Sequence, residues 1–150
     1  MKLPEPFFLI INPIMGALLK SPLHGLLSDS LMLITFTGRK SQRQFTTPVR
    51  YLPVDDSIQC FTSPKTQWWK NMRGGALVTL RLKNEDRSYQ AVVIENDPDQ
   101  IKKLLIHYLD VFPQDAAYHD IHLNQDKSLN SEDLERASKH SIAVVATPLK

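Results

Sequence analysis

A single cysteine in 150 residues, Cys60, excludes an internal disulfide. It falls in the apolar run Ile58 to Phe61, which marks it as a buried strand thiol rather than a nucleophile and makes a reducing, cytoplasmic setting the expectation. No charge of one sign dominates: 18 basic residues face 16 acidic ones, a formal net of +2. That balance excludes a protein whose main task is gripping nucleic acid. No apolar run reaches the roughly 20 residues that span a bilayer. Repeats, low-complexity tracts and interdomain linkers are also missing, so one domain over residues 1–150 is expected, with a helical segment at 1–28 and a barrel at 29–150. The chain has no Ser-His-Asp context, no nucleophile elbow and no Gly-Lys-Ser phosphate loop. His119 and His122 have a spacing that suits one helical face, but nothing nearby completes a metal's ligand set, and no metal is expected.

What is present begins with an apolar N-terminus, Phe7 to Ile11 and Ile14 to Leu19, parted by Asn12-Pro13. Glu5, Pro13 and the bulky Leu18-Leu19-Lys20 fit a cleaved signal poorly, so the segment reads as retained. Asn12 with Pro13, and Ser21 with Pro22, can each cap a short helix. Packing on the barrel is the default role; a dimer contact or peripheral membrane contact are the alternatives.

Residues 31–51 are the most informative stretch. An apolar strand from Leu31 to Phe36 leads into the turn Thr37-Gly38-Arg39-Lys40-Ser41, and a second strand opens at Phe45-Thr46-Thr47-Pro48-Val49. Arg39 offers a planar fork, Lys40 a point charge, Thr37 and Ser41 hydroxyls, and the backbone at Gly38 can aim amides at an anion. A phosphate site is one reading; a solvated hairpin turn is the other.

Further strands are expected at Ser57 to Thr62, Ala76 to Lys83, Ser88 to Glu95 and Ser141 to Thr147. A short helix over Trp68 to Arg73, capped by Thr66, should end at Gly74-Gly75. Asp97-Pro98 opens a helix whose apolar Ile101, Leu104, Leu105, Tyr108, Leu109 and Phe112 keep a 3.6-residue period, ended by Pro113. Gln114 to Ser131 reads as loop, and Glu132 to Lys139 as a short helix. Six strands with short turns and one long helix before the last argue for a mainly β, antiparallel barrel with packed helices.

Thr37-Gly38-Arg39-Lys40-Ser41 with Thr46-Thr47-Pro48, and then Trp68-Trp69-Lys70-Asn71-Met72-Arg73, resemble the deazaflavin-dependent nitroreductase family, split β-barrels related to the flavin-mononucleotide-binding ones. Two positions depart from the family pattern: Gln42 stands where glycine is usual, and Phe45 where an arginine precedes Thr-Thr-Pro. The resemblance implies an oxidoreductase in which a reduced deazaflavin, coenzyme F-420 before FMN, delivers hydride to a quinone-like or nitroaromatic acceptor. It also implies a homodimer, and a ring bordered by the backbone of Thr47, Pro48, Val49 and Arg50. The alternative function is a non-catalytic split-barrel module for a flavin, haem or lipid-like ligand.

The remaining candidates each carry a plain structural alternative. Ser63 and Lys65 could serve an acceptor or a reduced ring, or belong to an ordinary loop. Trp68 and Trp69 point about 100° apart on a helix, so one should be core while the other walls a cleft, with Asn71 fixing a backbone turn. Tyr118, in the polar stretch, is the better candidate than Tyr108 to face a substrate. No side chain is firmly assigned to acid/base chemistry, since the cofactor would carry the reaction.

Overall fold

Two antiparallel strands, β1 (Leu31–Thr37) and β2 (Gln44–Arg50), pair in unbroken register from Leu31 opposite Arg50 to Thr37 opposite Gln44. The computed structural model describes residues 31–83 and 85–149, so the helices expected within 7–27 lie outside the described residues. Strand β3 (Leu52–Val54) turns at Asp55-Asp56 into β4 (Ser57–Thr62), and β5 (Ala76–Leu82) pairs with β6 (Glu85–Ile94). Alternation decides what β5 buries: Val78 and Leu80 are inside, Leu77 outside. Strand β7 (Ile142–Pro148) completes a seven-stranded sheet in the order β2-β1-β5-β6-β7-β4-β3.

The two edge strands, β2 and β3, are separated in sequence by Tyr51 alone. One residue spans at most about 3.6 Å, so the sheet must curl until the end of β2 reaches the start of β3. The fold is a split barrel, as expected, but with seven strands among the described residues rather than six. The added strand is β3, whose three residues are too few to show alternation and are centred on Pro53. Proline lacks the ladder donor and is confined to edges, and β3 is an edge.

The described residues group into two compact units. The first takes in residues up to Cys60, Lys65–Val93 and those from Val144 onward. Met32, Ile34, Leu80, Trp69 and Met72 are among its fully buried side chains.

The second unit is Phe61–Pro64 with Ile94–Ala143. Its helix α1 (Pro98–Val111) is capped by Asp97, which accepts from the Gln100 amide, with Pro98 in the first turn. The periodic residues Ile101, Leu105, Tyr108 and Leu109 are buried. Tyr108 packs tilted against both Phe61 and Phe112, at 4.8 and 5.1 Å between ring centroids, and donates to Asp115 at 2.7 Å. The stretch read as loop holds a 3₁₀ helix, Pro113–His119, and a bridge between Leu123 and Leu129. Helix α2 (Ser131–His140) is capped by Asn130, carries Glu132 and Asp133 in its first turn and Lys139 and His140 in its last, and is tied to α1 by Lys102 and Glu135. Among the described residues no helix is long and apolar enough to cross a membrane.

Candidate functional site

The turn between β1 and β2 is shaped first by its glycine. A Cβ on Gly38 would lie 2.7 Å from the Phe45 ring and 2.8 Å from the Ser41 hydroxyl oxygen, so only glycine lets the turn fold down on Phe45. Phe45 is buried and stacks on Phe36 at 5.9 Å. The Gly38 amide donates to the Arg43 carbonyl at 2.7 Å, and the Gln42 amide to the Gly38 carbonyl at 2.8 Å. Gln42 takes the left-handed region at φ 59°, a conformation in which glycine is the unstrained choice.

A second element holds the turn from the side. Trp68–Met72 form a 3₁₀ helix rather than a regular α-helix, with Gln67 at its N-cap position and no side-chain cap, so the cap assigned to Thr66 is corrected. Gly74 and Gly75 end it as expected, at φ 80° and 94°. The Asn71 carboxamide links the two elements: its oxygen accepts from the Arg39 amide at 2.9 Å while its nitrogen donates to the Trp68 carbonyl at 3.0 Å. Arg39 also reaches the Lys70 carbonyl at 3.4 Å. These ties lie 31 and 32 residues apart in sequence. Gly38, Arg39, Lys40, Ser41 and Phe45 with Gln67 and Asn71 line a cleft of about 290 Å³.

Not every turn amide is without a partner. Those of Gly38, Arg39, Gln42 and Arg43 are bonded within the protein, the last to the Ser41 hydroxyl at 3.2 Å. The amides of Lys40 and Ser41 have no partner among the described residues, and neither has the Lys40 ammonium. Two adjacent N–H groups, a cation and a hydroxyl with its proton free can hold an anion.

The other candidates divide. Thr37 is exposed at the end of β1. Thr46 spends its hydroxyl on Thr35 across the strand pair at 2.8 Å, while Thr47, pointing to the opposite face, is buried. Pro48, Val49 and Arg50 are half-buried along edge strand β2. Trp68 and Trp69 are both buried, and neither lines the cleft, so the expectation of one core and one wall is corrected for this cleft. A 3₁₀ turn spaces its residues differently from an α-helix, and both indoles find cover: Trp68 lies 6.4 Å from Phe36, and Trp69 lies under the Arg73 guanidinium at 4.8 Å. The lining comes instead from Gln67 and Asn71, and Gln67 carried no sequence signal. Lys65 is exposed in the barrel unit, whereas half-buried Ser63 and exposed Tyr118 belong to the helical unit.

Three titratable groups stand apart from the cleft. Burial pushes the Cys60 thiol up to about 12, which leaves it inert. Burial lowers His119 to about 4 against the opposing pull of Asp115 and Asp120, and its ring bonds Ser141 at 3.1 Å. His122 is exposed and bonds Asp133, so the two histidines do not act together. Among the described residues no group of three or more His, Cys, Asp or Glu is placed to hold a metal ion.

The family model described as F420H(2)-dependent quinone reductase matches residues 19–129 of the chain. The chain belongs to this family. A solved structure described as a domain-swapped dimer superimposes with a TM-score of 0.52 at 16% identity, covering 93% of this chain and 98% of that one. A protein from Agrobacterium tumefaciens str. C58 gives 0.50 at 14% identity, covering 86% and 55% of the two chains. An F420 reductase gives 0.47 at 10% identity, covering 90% and 93%. At such identities the first two likenesses speak for the split-barrel fold alone. No curated protein matches the chain significantly.

Proposed function

We propose that this chain is an oxidoreductase that binds a reduced deazaflavin of the coenzyme F-420 type, with FMN as the alternative, and directs hydride to a quinone-like acceptor, nitroaromatics being accepted in its place. Family membership supports the reaction class. The observation that carries the binding reading is the turn itself: Lys40 and Ser41 offer amides without a partner among the described residues, an ammonium and a hydroxyl beside the Arg39 guanidinium, at the rim of one cleft. Such a set suits a phosphate or carboxylate on a cofactor tail. The cofactor, when bound, supplies the hydride chemistry. The chain's part is to bind the anionic end, exclude water with the buried ring of Phe45, which is backed by Phe36, and offer exposed Lys65 as a positive charge near the acceptor.

The second reading, a binding module that turns nothing over, is favoured by Phe45, whose ring is spent on core packing where relatives of the resembled family carry a cation. Fluorescence titration with the deazaflavin and with FMN, followed by stopped-flow oxidation with a quinone and a nitroaromatic panel, separates the readings. Tight binding with accelerated oxidation supports the enzyme. Tight binding without acceleration for any acceptor moves the answer to the module.

A further inference from the structure

We infer that Gln42 and Asn71 are positioning residues that fix the two peptide planes flanking Arg39, and so aim the Lys40 and Ser41 amides as the anion-facing pair. The inference rests on the anion-binding reading of this turn and assigns it two residues that act through the backbone they hold.

The geometry is specific. Asn71 takes the Arg39 amide, which fixes the peptide between Gly38 and Arg39. Gln42 folds back and donates from its side-chain nitrogen to the Arg39 carbonyl at 3.1 Å, which fixes the peptide between Arg39 and Lys40. In a trans peptide the carbonyl and the next amide point in opposite directions. With its oxygen held toward Gln42, that peptide must turn the Lys40 N–H the other way, and it is this N–H, followed by that of Ser41, that lacks a partner among the described residues. Gln42 does this from φ 59°, so the position carries backbone strain that glycine would avoid but gains a side-chain restraint that glycine cannot supply. An amide held in place before the anion arrives loses less freedom on binding than one that must be ordered.

The test uses the full chain, inorganic pyrophosphate and, in parallel, the deazaflavin. Backbone resonances of Lys40 and Ser41 are followed by NMR in the wild type, Gln42→Met and Asn71→Ala. Gln42→Met keeps length and removes the carboxamide, and with it the donor to the Arg39 carbonyl, at an exposed site, so it tests the idea even if Asn71→Ala loosens the fold. Pyrophosphate should shift the Lys40 and Ser41 amides in the wild type and leave those of Gly38 and Arg39 nearly still. Each substitution should raise the dissociation constant roughly three- to tenfold, the equivalent of one lost hydrogen bond. The dependence of affinity on salt should keep its wild-type slope, because no charge is removed, whereas Lys40→Ala should flatten it. Wild-type affinity in both Gln42→Met and a folded Asn71→Ala, or still Lys40 and Ser41 amides in the wild type, would overturn the inference. Pyrophosphate binding that follows the expected pattern without any deazaflavin or flavin binding would uphold it while removing the proposed cofactor.

Discussion

Single atoms decide the basic turn. The hydrogen on Gly38 is the clearest case, since a methyl there would collide with both Phe45 and Ser41. Gly38→Ala should cost about 1 to 3 kcal/mol of stability, read as a lowered denaturation midpoint, because the clash meets a packed ring rather than a flexible tip. Lys40 is the opposite kind of residue. Exposed and unpaired among the described residues, it supports nothing in the free protein. Lys40→Ala should therefore leave the melting temperature nearly unchanged while weakening anion binding by about 1 to 3 kcal/mol. Cys60 was legible from its neighbours alone: a thiol within an apolar strand is buried, and burial raises its pKa to about 12. A thiol reagent should label it only on unfolding.

Among the secondary elements, helix α2 and the 3₁₀ helix before it carry the pH response. His119 is held neutral to about pH 4 by burial, whereas in the unfolded chain it titrates near 6.5. Between those values the unfolded chain binds a proton that the native one refuses, so stability falls as pH falls from about 6.5 to about 4 and levels off below. The full effect is on the order of 3 kcal/mol. His119→Gln should flatten this part of the stability curve, and an unchanged curve would show that His119 is not the group responsible.

Asp133 works in a lower window. Its carboxylate accepts the His122 amide at 2.9 Å and ring nitrogen at 2.8 Å, and Arg136 at 2.9 Å. Those bonds, led by the two from His122, lower its pKa from 3.8 to about 2. Its stabilising effect is present above about pH 4 and lost as pH falls toward 2. Asp133→Ala should speed hydrogen exchange at the His122 amide, because the loop then loses its tie to α2. Neither partner was legible in advance: His122 suggested only a metal spacing, and a loop's docking onto a helix eleven residues later leaves no periodic trace.

The sheet shows where sequence reading succeeds and where it stops for the molecule as a whole. The β1–β2 hairpin, the β5–β6 hairpin and the start of α1 are local, and alternation, turn residues and an Asp-Pro cap declared each of them. The closure of the sheet through Tyr51 is not local, since it depends on which strands become edges. Strand β3 exists only as part of that closure, and three residues around a proline announce nothing by themselves. The site divides the same way. Arg39, Lys40 and Ser41 stand together in sequence and were visible as a set; Asn71 and Gln67 reach them only because the 3₁₀ helix is folded against the turn. Which amides are left free depends on bonds made across that distance, so residue types alone could not say that Gly38 and Arg39 are spent and Lys40 and Ser41 are not.

That this turn holds the anionic end of a deazaflavin is the central proposal for this protein. Its most direct test is fluorescence titration of the full-length chain with coenzyme F-420, set beside the Arg39→Ala/Lys40→Ala variant at two salt concentrations. Saturable binding is expected, weakened by about 1 to 3 kcal/mol per lost charge-assisted bond in the variant, and with a shallower salt dependence there than in the wild type. Equal affinity and equal salt dependence in the two proteins would contradict it.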